Sequence, residues 1–202
     1  VDCCDIVGLL CMGRALLGGE STVASSGHLH NRLLETRPEL IAPLFEPYYR
    51  DRRGEVPPGT DPWYAIPIFN WHEGILSTTV EPTYIGSVAR HFEGRDPHTP
   101  QQIQALLALQ DMAHEEAFAL PFEVGDIQFL NNHTVMHSRR SFQDGLGRTE
   151  RRHLVRLWLQ NLDGRPLPQA YYERHGSPDD VIRPGGIIGK DTMLNCPLEV
   201  EL

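Results

Sequence analysis

The chain has 202 residues, 40% apolar and 22% charged, which is the balance of an ordinary folded domain and enough length for one real core. With 18 basic against 27 acidic residues its net charge is -9, which disfavours nucleic acid or an anionic membrane surface as a partner. The longest apolar run, Ile6 to Met12, is far below the roughly 20 residues of a bilayer span. Cys3, Cys4, Cys11 and Cys196 lack C-x-x-C spacing and are too sparse for a disulfide scaffold, so reduced thiols and a cytoplasmic setting are expected.

The sequence opens Val1-Asp2-Cys3-Cys4-Asp5 and runs straight into a first strand at Ile6 to Met12, and it reads as a C-terminal fragment. Gly18-Gly19-Glu20-Ser21-Thr22-Val23 predicts a turn entering a short strand, and Ser25 or Ser26 caps a helix through Leu33 and Leu34. Pro38 starts a short helical piece carrying Leu40, Ile41 and Leu44. From Phe45 to about Pro67 the density of Pro, Gly, Arg and aromatics predicts an ordered loop, and Pro67 to Leu76 a strand pair turned at Glu73-Gly74. The clearest helix spans Pro100 to about Phe118, with Thr99 at the N-cap, Pro100 at N1 and Gln102 completing a capping box. Gly125-Asp126 turns into the strand Ile127 to Leu130, and a last strand runs from Arg152 to Leu159. Residues 1–202 read as one domain, with a barrel portion over 1–162 and a Pro- and Gly-rich extension over 163–202. Strands separated by long loops, with helices inserted, predict a mainly β barrel or sandwich.

Arg152 and Arg156 share an alternation face with Leu154 and Trp158, while Val155, Leu157 and Leu159 make the other face apolar, so this strand is expected to be covered on both sides. Two enclosed guanidinium groups require an anion, and the planar fork of Arg matches a carboxylate; the alternative is that each snorkels out or pairs with an internal Asp or Glu. His133 and His137 stand four apart, but no Glu follows His133 as in H-E-x-x-H, and Asn131-Asn132 argue against a helix there. His28 and His30 read as a surface pair, and His114-Glu115-Glu116 and the cluster Arg50, Arg52 and Arg53 as solvated charge. No phosphate loop and no G-x-S-x-G nucleophile elbow occur.

Together these residues resemble the taurine/2,4-D dioxygenase-like (TauD/TfdA) family of iron(II)- and 2-oxoglutarate-dependent oxygenases. That family carries an H-x-D, a Gly-Gly-acid-Ser/Thr turn, and a distal His followed by a strand with two arginines. Asp2 resembles the D of H-x-D, with the His expected before Val1; Gly18-Gly19-Glu20-Ser21 resembles the turn, His137 the distal ligand, and Arg152 with Arg156 the arginine pair. The resemblance implies a jelly-roll double-stranded β-helix, incomplete at its N-terminal side, with Fe(II) on Asp2 and His137. It implies that Arg156 and Ser21 hold the distal carboxylate of 2-oxoglutarate, with Arg152 nearer its metal-bound end, and that O2 is used to hydroxylate a small-molecule substrate. Two His and one carboxylate on one face of iron leave positions open for a bidentate 2-oxo acid and dioxygen. With one ligand outside it, the chain itself is expected to be inactive. Two rival readings stand beside this one: a metal-free binding module of the same fold, and a zinc hydrolase in which His133 and His137 converge.

Overall fold

The computed structural model describes residues 4–147, 150–161 and 163–174. In chain order the strands and helices are β1 (Ile6–Gly13), β2 (Leu17–Gly18), β3 (Ser21–Ser25), α1 (Ser26–Thr36), α2 (Ile41–Leu44), β4 (Pro47–Asp51), β5 (Trp63–Pro67), β6 (Phe69–His72) and β7 (Ile75–Thr78). There follow α3 (Pro82–Ser87), α4 (Pro100–Glu115), β8 (Phe118–Leu120), β9 (Ile127–Asn131), β10 (Val135–Arg139), β11 (Phe142–Gln143), β12 (His153–Leu159) and α5 (Gln169–Glu173). Two antiparallel three-stranded sheets, ordered β12-β1-β9 and β10-β3-β8, form the frame, with β2–β11, β4–β5 and β6–β7 as two-stranded pairs. Among the described residues no helix is long and apolar enough to cross a membrane.

Local signals decide several boundaries. Ser25 caps α1, its hydroxyl accepting the His28 N–H at 3.3 Å. Thr99 Oγ1 accepts the Gln102 N–H at 3.2 Å while Gln102 Oε1 accepts the Thr99 N–H at 3.0 Å, so the capping box at the start of α4 is complete. Between β6 and β7, Glu73 (φ 50°) and Gly74 (φ 76°) both lie in the left-handed region, as a two-residue type I′ hairpin requires.

The main core lies on the back of the β10-β3-β8 sheet. There Ala24 and Met136 pack with Leu29 and Leu33 of α1, Leu106 and Leu109 of α4, and Phe69, Tyr48 and Ile85. A second, smaller cluster joins the two sheets: Cys4, Val7, Leu9, Leu130 and Trp158 of one pack with Val23 and Val135 of the other. A third seats Leu167 and Tyr171, in and just before α5, on Tyr64 and Ile66 of β5. Cys4 and Cys11 are buried.

Several expectations are corrected. The region from Phe45 to Pro67 is not all loop, because β4 and β5 pair antiparallel from Pro47–Pro67 to Asp51–Trp63 across a Pro- and Gly-rich connection. Helix α4 ends at Glu115 rather than near Phe118, where the chain instead pairs with Val23. Arg50 and Arg52 are buried rather than solvated: on β4 Arg50 follows Tyr48 onto the inward face, where its guanidinium is fully enclosed. His30 is likewise interior, set edge-on against Phe45 and Phe69, whereas His28 is exposed and bonded to Glu116. Finally, β12 is covered on one side only. The outer face of its sheet, with Phe129 62% and Leu157 58% exposed and Ile127, Val155 and Leu159 also exposed, has no described element packed over it.

A buried charged layer lies behind the sheets. Arg50 Nη1 donates to Thr79 Oγ1 at 3.1 Å and to Glu81 at 3.3 Å, Tyr64 donates to Glu81 at 2.9 Å, and Arg174 is bonded to the same carboxylate. Burial alone would raise the Glu81 pKa; the charges of Arg174 and Arg50, with the Tyr64 hydrogen bond, reverse this and hold it at about 2. Burial also pushes Tyr64 up to about 12.

Candidate functional site

In an antiparallel ladder directly opposed residues project to the same side, so register assigns each side chain to a face. His137 is opposite Val23 and Arg139 opposite Ser21, which puts Ser21, Val23, Val135, His137 and Arg139 on one face of the β10-β3-β8 sheet. In the other sheet Leu9 is flanked by Arg156 and Gln128, and Val7 by Trp158 and Leu130. The small core cluster contains Val23 and Val135 together with Val7, Leu9, Leu130 and Trp158, so these two faces look at one another. Ser21, His137 and Arg156 therefore border the same inter-sheet space. Ser21 is buried and His137 half-buried. Arg156, expected to be enclosed, is exposed, its guanidinium lying 5.0 Å over the Trp158 ring. It lies on the covered face of the strand, and its long side chain carries the guanidinium to solvent across that ring.

Arg152 joins this space from the start of β12. Gly18 (φ 69°) and Gly19 (φ 82°) hold a turn that L side chains rarely adopt. A Cβ on Gly18 would collide with the Ser141 carbonyl oxygen, and one on Gly19 would lie 3.1 Å from Arg152 Cδ and 3.2 Å from Phe142 Cβ. The bare turn thus lets Arg152 lie against it and donate from Nε to the Gly19 carbonyl at 3.2 Å. Burial, and after it the like charge of Arg139, push the Arg152 pKa down.

Four of the five residues singled out from sequence, Ser21, His137, Arg152 and Arg156, are thus brought to one space, and Asp2 lies outside the described residues. Among the described residues no group of three His, Cys, Asp or Glu could hold a metal. Two buried polar atoms on the inner face of the β12-β1-β9 sheet, Trp158 Nε1 and Gln128 Oε1, have no hydrogen-bond partner among the described residues. Such orphans are costly in a dry interior and suit a space that receives a polar molecule. Gln128 was legible as the polar residue inside the apolar run Ile127 to Leu130, and Arg139 as the position two after His137.

His133 does not converge with His137. Its Nε2 bonds Asp5 Oδ1 at 2.7 Å, Asp5 Oδ2 accepts the Asn161 N–H at 2.9 Å, and the ring meets Tyr171 edge-on. Committed to this buried pair, His133 ties the start of β1 to the β9–β10 turn, and the zinc reading loses its second ligand.

Residues 2–158 match the family described as taurine catabolism dioxygenase TauD, TfdA. The chain belongs to that family. It is 34% identical over 173 residues to FR-33289 synthase of Streptomyces rubellomurinus, an alignment covering 84% of this chain and 51% of that protein. It is 34% identical over 155 residues to the taurine hydroxylase-like protein SAT17 of Stachybotrys chartarum, covering 75% and 39%. The chain therefore spans about half or less of the length of these relatives. Among solved structures it is similar to asparagine oxygenase in complex with Fe(II), 2S,3S-3-hydroxyasparagine and succinate, at a TM-score of 0.56 and 20% identity over 76% of this chain and 44% of that one. It is also similar to the non-heme iron oxygenase OrfP in complex with Fe, at 0.53 and 18% over 76% and 45%. The fold is that of these oxygenases, a mainly β jelly roll with inserted helices.

Proposed function

We propose that the protein to which this chain belongs is an Fe(II)- and 2-oxoglutarate-dependent dioxygenase that hydroxylates a small organic substrate. The observation that carries the reading is the meeting of Ser21 and His137 on one sheet with Arg156 on the other and Arg152 just before it, across a space bordered by polar atoms unpartnered among the described residues. Membership of the TauD/TfdA family supports it. Asp2 and His137 would hold the iron. When bound, iron with 2-oxoglutarate and O2 supplies oxidative decarboxylation to succinate and CO2 together with hydroxylation of an unactivated C–H bond. The work of this chain's own residues is orientation. Arg156, steered by the Trp158 ring beneath it, and the buried Ser21 hydroxyl would fix the distal carboxylate of the cosubstrate, and Arg152, braced on Gly19, would face its other end.

The test is succinate release from 2-oxoglutarate by full-length protein with iron, across a panel of small organic acids and amino acids, beside His137→Ala. Substrate-stimulated succinate that the variant loses is expected. No 2-oxoglutarate binding and no succinate with any member of the panel would favour the metal-free binding module instead.

A further inference from the structure

Arg139 takes no part in the roles assigned above, yet its placement is specific. It stands two residues beyond His137 on the same face of β10, opposite Ser21. Its guanidinium carbon lies 4.3 Å from the centre of the Phe142 ring, and that of Arg152 lies 5.8 Å from the same ring. One phenyl group on β11 thus gathers two cations. Among the described residues neither guanidinium has a carboxylate partner, and Arg152 makes one side-chain hydrogen bond, from Nε to Gly19. The neighbouring acid, Asp144, accepts the backbone N–H of Arg152 at 2.8 Å. Two solvated arginines would diverge to lower their repulsion; here the glycine turn braces one, Phe142 holds both, and their terminal N–H groups remain available.

We propose that Arg139 and Arg152 together bind one oxyanion, a carboxylate or comparable acid group of a small molecule, at the mouth of the inter-sheet space. Arg139 is then a further anion-binding residue of the site. The inference rests on the function proposed above, and two molecules could bring the group: 2-oxoglutarate, through the carboxylate nearer the metal, or the primary substrate, which would then be an organic acid.

Calorimetric titration of full-length protein carrying Mn(II), which shares the oxygen and imidazole preferences of iron(II), separates the two. Arg139→Gln is compared with wild type and with Arg140→Gln, an exposed neighbour of equal charge. Weakening of 2-oxoglutarate binding on the order of tenfold or more in Arg139→Gln, with less than about twofold in Arg140→Gln, supports the pair and assigns the anion to the cosubstrate. Unchanged 2-oxoglutarate binding, with loss of sulfate binding measured at saturating 2-oxoglutarate, supports the pair and assigns the anion to the substrate. Arg139→Lys, which keeps the charge without the fork, should recover part of either loss. Equal losses in the two Gln variants, or no change with either probe, overturn the proposal. If wild type binds no 2-oxoglutarate, the proposed function falls, and the sulfate titration alone decides the arginine pair.

Discussion

Glu81 lies between Arg50 and Arg174 in the buried layer, so Glu81→Gln removes a charged carboxylate that both guanidinium groups share. Breaking such a pair costs about 3–5 kcal/mol. Proton linkage gives an independent figure. A carboxyl held at about 2 instead of its ordinary 4.5 favours the folded state by about 3 kcal/mol at neutral pH, at about 1.4 kcal/mol per pH unit. Because the folded pKa is the depressed one, this stabilisation is fully present above the unfolded value near 4.5 and is lost as pH falls through about 2. Urea unfolding of full-length wild type and Glu81→Gln, followed by circular dichroism at roughly pH 7, 4 and 2.5, reads both effects. The gap between the two proteins should be about 3 kcal/mol or more at neutral pH and shrink towards the acid end. A gap below about 1 kcal/mol, or one that does not change across that range, would refute the argument.

Arg156→Ala should raise the 2-oxoglutarate requirement by about 2 kcal/mol, roughly thirtyfold, the low end for a charge-assisted pair because the guanidinium is exposed; an unchanged requirement removes Arg156 from the site. Gly19→Ala forces a side chain into the left-handed region at a cost of about 1–2 kcal/mol and presses on Arg152, so melting temperature and 2-oxoglutarate affinity should fall together. Thr99→Ala removes the α4 cap and should cost about 1 kcal/mol in urea unfolding without altering cosubstrate affinity, since Thr99 is at the end of α4 away from Gln110, Ala113 and His114, which line the cavity beside His137.

What was legible in the sequence was what neighbouring residues decide. The Thr99 capping box and the Glu73-Gly74 turn are set within four residues, and alternation alone put Arg156 on the face of Leu154 and Trp158. What was not legible depends on partners far along the chain. Arg50 is enclosed because Ile66, Thr79 and Glu81 close around it, and His30 is interior because Phe45 and Phe69 meet it; neither fact leaves a mark at positions 30 or 50. The apolar outer face of β12 was read as buried because composition reports what a surface would favour, not whether anything is there to meet it. At the site, Ser21, His137 and the arginine pair were found by resemblance, while Arg139 and Phe142 were passed over because their pairing with Arg152 exists only once β2 and β11 have come together.

That uncovered sheet face bears on how the chain behaves in the test tube. Ile127, Phe129, Val155, Leu157 and Leu159 are side by side on β9 and β12, the two outermost strands of the sheet, so among the described residues a greasy plane ends in unpaired backbone edges. Such a surface invites strand addition and sticking between copies. Residues 1–202 expressed alone should bind hydrophobic dyes and drift towards oligomers as concentration rises. Lysine in place of Phe129 and Leu157 is the first remedy to try, since both point away from the inter-sheet space and their loss should leave its chemistry alone.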